Sequence, residues 1–214
     1  AEDSSANRPL PLLDAQVSLL SLPRILGVAD IEIPSIMPYI IPPPIAHTIT
    51  APPEHLKVGL AWAGKSSHRN NHNRTTTLQT FMPLLEQTGV TFFSLQLGAP
   101  ANDIARLGAG ALVHDLRHYI QDFADTAAIL SQLDLVICVD TSLAHLAGAM
   151  AYPVWTLLPF SPDWRWQLDR PDTPWYPSMR LFRPDYPRGW ACVIGQVQAA
   201  LIEYRTTFSA SRSD

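Results

Sequence analysis

Two short stretches of this chain carry residue types suited to holding an anion. The first is Asp140-Thr141-Ser142. It follows the apolar run Leu135-Val136-Ile137-Cys138-Val139 and precedes Leu143-Ala144-His145-Leu146-Ala147-Gly148-Ala149. An apolar run without alternation suits a parallel strand covered on both faces. Asp, Thr and Ser are helix-capping types, and the small residues after them let a helix lie close to a sheet. A strand entering a helix in this way leaves backbone N–H groups unpaired at the helix start. These face the carboxyl ends of the strands, where phosphate binds in open α/β sheets. His145 lies one turn after Thr141, and helical side chains lean toward the N-terminus. The spacing therefore aims it at whatever occupies the junction; a hydrogen-bonded core histidine is the plainer alternative. Capping alone accounts for Asp140 and for one of Thr141 and Ser142.

The second stretch is AGKSSHRNNHNRTTT, residues 63–77, with Lys65, His68, Arg69, His72 and Arg74 among amides that include Asn73. No Asp or Glu occurs between Glu54 and Glu86. Such a loop at the carboxyl end of a strand offers charge-assisted donors for phosphate or sugar hydroxyls; a solvated surface loop is the alternative. The region also matches the phosphate-loop pattern, as Gly59-Leu60-Ala61-Trp62-Ala63-Gly64-Lys65-Ser66. On that second reading, a nucleotide hydrolase, Lys65-Ser66 must run straight into a helix. Residues 60–63 are strand-like instead, and 67–77 have no apolar periodicity. No G-x-G-x-x-G follows a strand, which disfavours a dinucleotide dehydrogenase.

The elements that must position these loops alternate along the chain. Strands are expected at 57–62, 91–95, 111–113, 135–139 and 154–158. Helices are expected at 79–87, 101–107, 122–132, after Ser142, and over a long C-terminal stretch marked by Trp190, Val193, Ile194, Val197, Leu201 and Tyr204. Alternation of this kind predicts an α/β fold with a doubly wound, parallel, Rossmann-like sheet. Residues 34–53 hold seven prolines and read as a linker or an extended surface crossing. Residues 16–28 look like the tail of another packed unit. The Trp-rich segment 159–176 offers Trp164, Trp166, Trp175 and Tyr176 for stacking on a base or sugar, or simply for packing. Asp163 and Arg165 are expected to pair with each other or with the main chain; Asp122 is expected to cap a helix, and Asp122 and Asp125 to complement its dipole in the first turn.

Composition narrows the class. Hydrophobic content of 47% and charged content of 16% over 214 residues describe a chain with a sizeable core. A net charge of −4 gives no footprint for nucleic acid. Two distant cysteines in apolar contexts, Cys138 and Cys192, suggest neither a disulfide framework nor a metal site, and fit a reducing cytoplasm. No apolar run reaches the length of a membrane span. The chain opens at Ala1 with no signal-peptide pattern, and reads as a fragment or processed piece.

Four segments together resemble bacterial proteins related to glycosyltransferase family 9, the heptosyltransferase-like enzymes often fused to tetratricopeptide repeats. They are VGLAWAGKSSHRNNHNRTTTL, FFSLQLG, DFADTAAILSQLDLVICVDTSLAHLAGAMAYPVWTLLPFSPDWRW and PWYPSMRLFR, within residues 57–204. The resemblance implies the C-terminal, donor-binding half of a GT-B glycosyltransferase at 54–206. It also implies a tail of the acceptor-side half at 1–33; the Pro-rich linker is read at 34–53, and a disordered end is expected at 207–214. It implies a nucleotide-diphosphate sugar as donor, metal-independent inverting transfer, and no resident cofactor. Contacts to that donor would come from Lys65, Arg69, Asn73, Arg74, Gln96, Asp140, Thr141, Ser142 and His145. The catalytic base belongs to the other half and is not assigned. A protein or glycan acceptor, a bacterial cytoplasmic location and no nucleic-acid partner complete the expectation. A non-catalytic nucleotide-sugar-binding module is the third reading. Leu97 departs from the polar or basic residue expected after Gln96, which removes a phosphate role there.

Overall fold

A computed structural model describes residues 14–28 and 36–211. The chain divides into two units, Ala1–Pro34 and Ser35–Asp214. In the first, a 3-10 turn at Leu19–Ser21 leads into a single helical turn, α1 (Leu22–Ile25). The rest of the expected tail, 1–13 and 29–33, lies outside the described residues.

The second unit is built on six parallel strands: β1 (Leu56–Ala61), β2 (Val90–Ser94), β3 (Val113–Asp115), β4 (Leu135–Val139), β5 (Val154–Leu157) and β6 (Met179–Phe182). Their order is β3-β2-β1-β4-β5-β6, the doubly wound arrangement that the alternation predicts. The chain direction across the sheet reverses between β1 and β4. The crevice over their carboxyl ends is where ligands bind in such sheets.

Successive strand residues point to opposite faces, and both faces are covered. Leu56, Val58 and Leu60 of β1 join Leu135, Ile137 and Val139 of β4 under α3 (Leu78–Leu85) and the long α7 (Trp190–Ser211). Val136 and Cys138 point the other way, under α5 (Phe123–Leu130) and α6 (Ser142–Ala149). Ala144 and Ala147 of α6 are fully buried, as its small-residue composition requires. Two single-turn helices, α2 (Asn71–Arg74) and α4 (Asp103–Arg106), lie in the connections.

Several boundaries differ from expectation. The strand expected at 111–113 is a 3-10 turn, Ala109–Ala111, with β3 two residues later. The helix expected at 101–107 is a 3-10 turn, Ala99–Asn102, followed by α4. β6 was not foreseen: it is four residues long, one of them the exposed Arg180, in a proline-rich stretch. α7 continues through Ser211, so 207–211 are helical where a disordered end was expected; 212–214 are not described. The Pro-rich segment is an extended crossing. Gln132 fastens it, accepting from Ile49 N and donating to His47 O, while Tyr39 N and Ile40 N both donate to Ala149 O at the end of α6. Among the described residues no helix is long and apolar enough to cross a membrane.

Candidate functional site

A cleft of about 520 Å³ lies over the carboxyl ends of β1, β2 and β4. One wall is the loop after β1, with Gly64, Lys65, Ser66, Asn71 and Thr75. Another is the start of α6, with Thr141, Ser142 and Leu143. The floor and far end come from Ala61, Ala63, Leu95, Leu97 and Phe123. The strand-to-helix junction thus sits at the switch point, as its sequence indicates.

At the junction Thr141 is the N-cap of α6, extended at φ −142° and ψ 173°, and its hydroxyl makes no capping bond. Ala144 N bonds to Thr141 O at 3.1 Å. The amides of Ser142 and Leu143 open the helix, with no acceptor four residues back inside it, and add to the positive end of its dipole.

The basic loop is held by the core rather than hanging free. Thr76 N donates to Trp62 O, and Gly64 N donates to Thr75 Oγ1, whose proton goes to Asn71 Oδ1. Arg74 crosses to the other wall, where Nη1 donates to Asp140 O at 2.7 Å. Its guanidinium lies on Gly64, where a Cβ would fall 2.7 Å from Nη2. Arg74, expected to hold phosphate, thus ties the two walls together.

Gln96 departs from its expected role. It is 4% exposed, and its Oε1 accepts from Trp62 N at 2.9 Å and Ala63 N at 2.8 Å. Its Nε2 donates to Ala63 O and Leu97 O. All four hydrogen-bonding positions of the carboxamide are filled by main chain, so Gln96 shapes the cleft and has no capacity left for a ligand.

His145 does not line the cleft. Its ring stacks on buried Trp166 at 5.1 Å and bonds through Nδ1 to Tyr176 Oη at 3.0 Å. Nε2 stands 4.0 Å from Asp140 Oδ1. Burial, the largest influence, holds the imidazole below its ordinary pKa against the opposing pull of Asp140. The expectation that His145 points onto the helix start gives way to a packed aromatic cluster on the far flank of the junction. Arg69 and Asn73 are exposed and outside the cleft wall; Asn73 Nδ2 donates to Asn70 Oδ1. Of the predicted residues the structure gathers Lys65, Thr141 and Ser142 at the cleft, with Gln96 beneath it.

The aromatic segment mostly packs. Trp166 is fully buried, Trp175 Nε1 donates to Arg165 O, and Tyr176 covers Gly148. Asp163 accepts from Arg165 N and stands 3.4 Å from Arg165 Nε, as expected. Asp122 caps α5 by accepting from Ala124 N and Asp125 N. Sequence reasoning missed Ser66, Asn71, Thr75, Leu97 and Phe123 as wall residues; the acid-free loop was the signal available for the first three.

The phosphate-loop alternative fails on backbone geometry. Gly59, Leu60 and Ala61 are β1 residues paired with β2 or β4, and Lys65-Ser66 lead into turns instead of a helix. Among the described residues no group of three His, Cys, Asp or Glu side chains converges as a metal would need.

Residues 121–188 match the family model for glycosyltransferase family 9 (heptosyltransferase). Protein FlbA of Caulobacter vibrioides is 30% identical over 152 residues, covering 69% of this chain and 25% of FlbA. The chain thus spans about a quarter of the length of the curated relative it matches. In fold it is similar to E. coli ADP-heptose lps heptosyltransferase II, with a TM-score of 0.52 at 15% identity over 72% of this chain and 48% of that one. A second solved structure, E. coli heptosyltransferase WaaC with ADP, gives a TM-score of 0.47 at 17% identity, over 74% and 46% of the two chains.

Proposed function

We propose that this chain, a relative of glycosyltransferase family 9, is the donor-side half of a glycosyltransferase. In this reading it binds the diphosphate of a nucleotide sugar in the cleft between β1 and β4. One observation carries it: the open start of α6 faces Lys65 and Ser66 across a cleft with no acidic side chain among its described wall residues.

Transfer breaks the bond between the anomeric carbon and the β-phosphate oxygen, and negative charge grows on that oxygen. Fixed N–H dipoles and a nearby ammonium stabilise such charge without reorganising. The amides of Ser142 and Leu143 and the Lys65 ammonium are placed to do this, and they require no metal ion. Attack by an acceptor hydroxyl on the opposite face of the sugar inverts the anomeric centre. The base that takes the hydroxyl proton, and the protein or glycan that carries the hydroxyl, belong to the acceptor-side half. The free thiols of Cys138 and Cys192 accord with a reducing bacterial cytoplasm.

Calorimetry with ADP, GDP and UDP, each with and without EDTA, tests the reading. Binding should persist unchanged in EDTA. Binding abolished by EDTA, or no binding of any of the three, would overturn it.

A further inference from the structure

We infer that the cleft grips the nucleoside end of its ligand by apolar contact, with the ring of Phe123 as the stacking face. Among the described residues at that end, no side chain is free to read the base or the ribose 2′-hydroxyl. The inference rests on the nucleotide reading above and adds to it a substrate class: nucleoside diphosphates without regard to base.

Two large apolar side chains stand in solvent at the same cleft, Phe123 at 61% exposure and Leu97 at 46%. Neither is on a loose tether. Phe123 is the first residue of α5, and its neighbours on both sides are fixed. Asp122 accepts from Ala124 N and Asp125 N at 2.7 and 3.0 Å, and Asp125 reaches back to Gln121 N at 2.9 Å. The carbonyl of Leu97 is held by Gln96 Nε2 at 3.0 Å. An aromatic ring presented in this way beside an anion-holding helix start suits a flat, partly apolar group joined to a phosphate. A nucleobase is such a group, and every base offers a π face for stacking.

The polar side chains near this end are already committed. Gln96 has all four positions filled. Thr126 donates its hydroxyl to Asp122 O at 2.9 Å. In sheets of this order an acidic residue near the end of β2 commonly bonds the ribose diol. Here β2 ends at Ser94 and continues Leu95-Gln96-Leu97, and among the described wall residues there is no Asp or Glu. Sites that discriminate strongly do so by leaving a buried polar group unpaired when the wrong ligand enters. Among the described residues at the Phe123 and Leu97 end no such side chain is left unpaired; the unpartnered buried hydroxyl of the cleft, Thr141 Oγ1, stands at the start of α6 beside the amides of Ser142 and Leu143.

Calorimetric titration of the whole chain with pyrophosphate, ADP, GDP, UDP and 2′-deoxy-ADP, repeated on Phe123→Ala and Phe123→Tyr, tests the inference. The nucleoside should add affinity over pyrophosphate. Because no buried polar side chain at the Phe123 end is left to discriminate, the four nucleotides should agree within about fivefold. Phe123→Ala should weaken all four by roughly tenfold, toward the low end for a base–aromatic stack, and leave pyrophosphate unchanged; Phe123→Tyr should restore them. The inference falls if one base is preferred a hundredfold, if 2′-deoxy-ADP loses tenfold against ADP, or if Phe123→Ala binds like the parent. It also falls, with the phosphate site intact, if pyrophosphate binds as tightly as the nucleotides. If pyrophosphate and all four nucleotides fail to bind, the nucleotide reading falls first and takes the inference with it.

Discussion

Arg74 reaches 66 residues along the chain to donate from Nη1 to the carbonyl oxygen of Asp140 at 2.7 Å. The bond joins the loop after β1 to the junction after β4, the two sides of the cleft. The same guanidinium lies on Gly64, so a Cβ at position 64 would require the end of the Arg74 side chain to shift. A cation in an acid-free loop is an obvious candidate for phosphate. This one gives an N–H to the main chain of the opposite wall, while its buried Nε has no hydrogen-bond partner.

The roles of Arg74 and Lys65 should therefore separate. Arg74→Ala removes a charge-assisted bond that is partly buried and should lower stability by about 1.5–3 kcal/mol. Lys65 is exposed, so Lys65→Ala should change stability by no more than about 0.5 kcal/mol while weakening nucleotide binding. Thermal melts beside calorimetry read both. An Arg74→Ala protein as stable as the parent would show that the clamp contributes nothing.

Gly148 and Tyr176 should show a sign reversal. A Cβ at Gly148 would fall 2.5 Å from Tyr176 Cγ, an inner ring atom that cannot step aside alone. Gly148→Ala gains up to about 1 kcal/mol in helix propensity. Overpacking costs about 1–3 kcal/mol, so the net effect is destabilising. With Tyr176→Ala already in place the clash is gone, and the same glycine substitution should become neutral or stabilising. Urea denaturation of the four proteins in the cycle measures the coupling; simple additivity would contradict the packing described here.

His145 should make stability depend on pH. Burial lowers its folded-state pKa below the ordinary value of 6.5. As pH falls through 6.5, the unfolded chain takes up that proton before the folded chain does. Stability therefore declines with falling pH until the folded-state value is passed, and the histidine adds no pH dependence well above 6.5. Subtracting the profile of His145→Asn from that of the parent isolates this residue from the other six histidines. A difference that does not change below neutral pH would contradict the burial argument.

The doubly wound sheet was legible because burial on both faces leaves a mark in local sequence. β4 reads as a continuous apolar run, and α6 as a helix of small residues, since neither has an alternative environment in this fold. The N-cap at Asp122 was legible for a similar reason: its partners are two and three residues away. β6 was not legible. It is held as a strand by pairing with β5, and its own four residues carry little signal.

In the cleft, sequence alone determined which loops meet: the residue types at 63–77 and 140–142 mark two strand ends, and a parallel sheet brings strand ends to one side. Tertiary structure decided which side chains remain available there. Gln96 looked like a ligand contact, yet main-chain groups from residues 62, 63 and 97 saturate it. His145 looked aimed at the junction, yet Trp166 and Tyr176 draw it to the far flank. Phe123 carries no signal of its own in the sequence, yet it stands in solvent at the far end of the cleft. Hydrogen-bond capacity and ring packing are settled by neighbours distant in the chain, so residue type and spacing name the candidates and only the folded contacts allocate them.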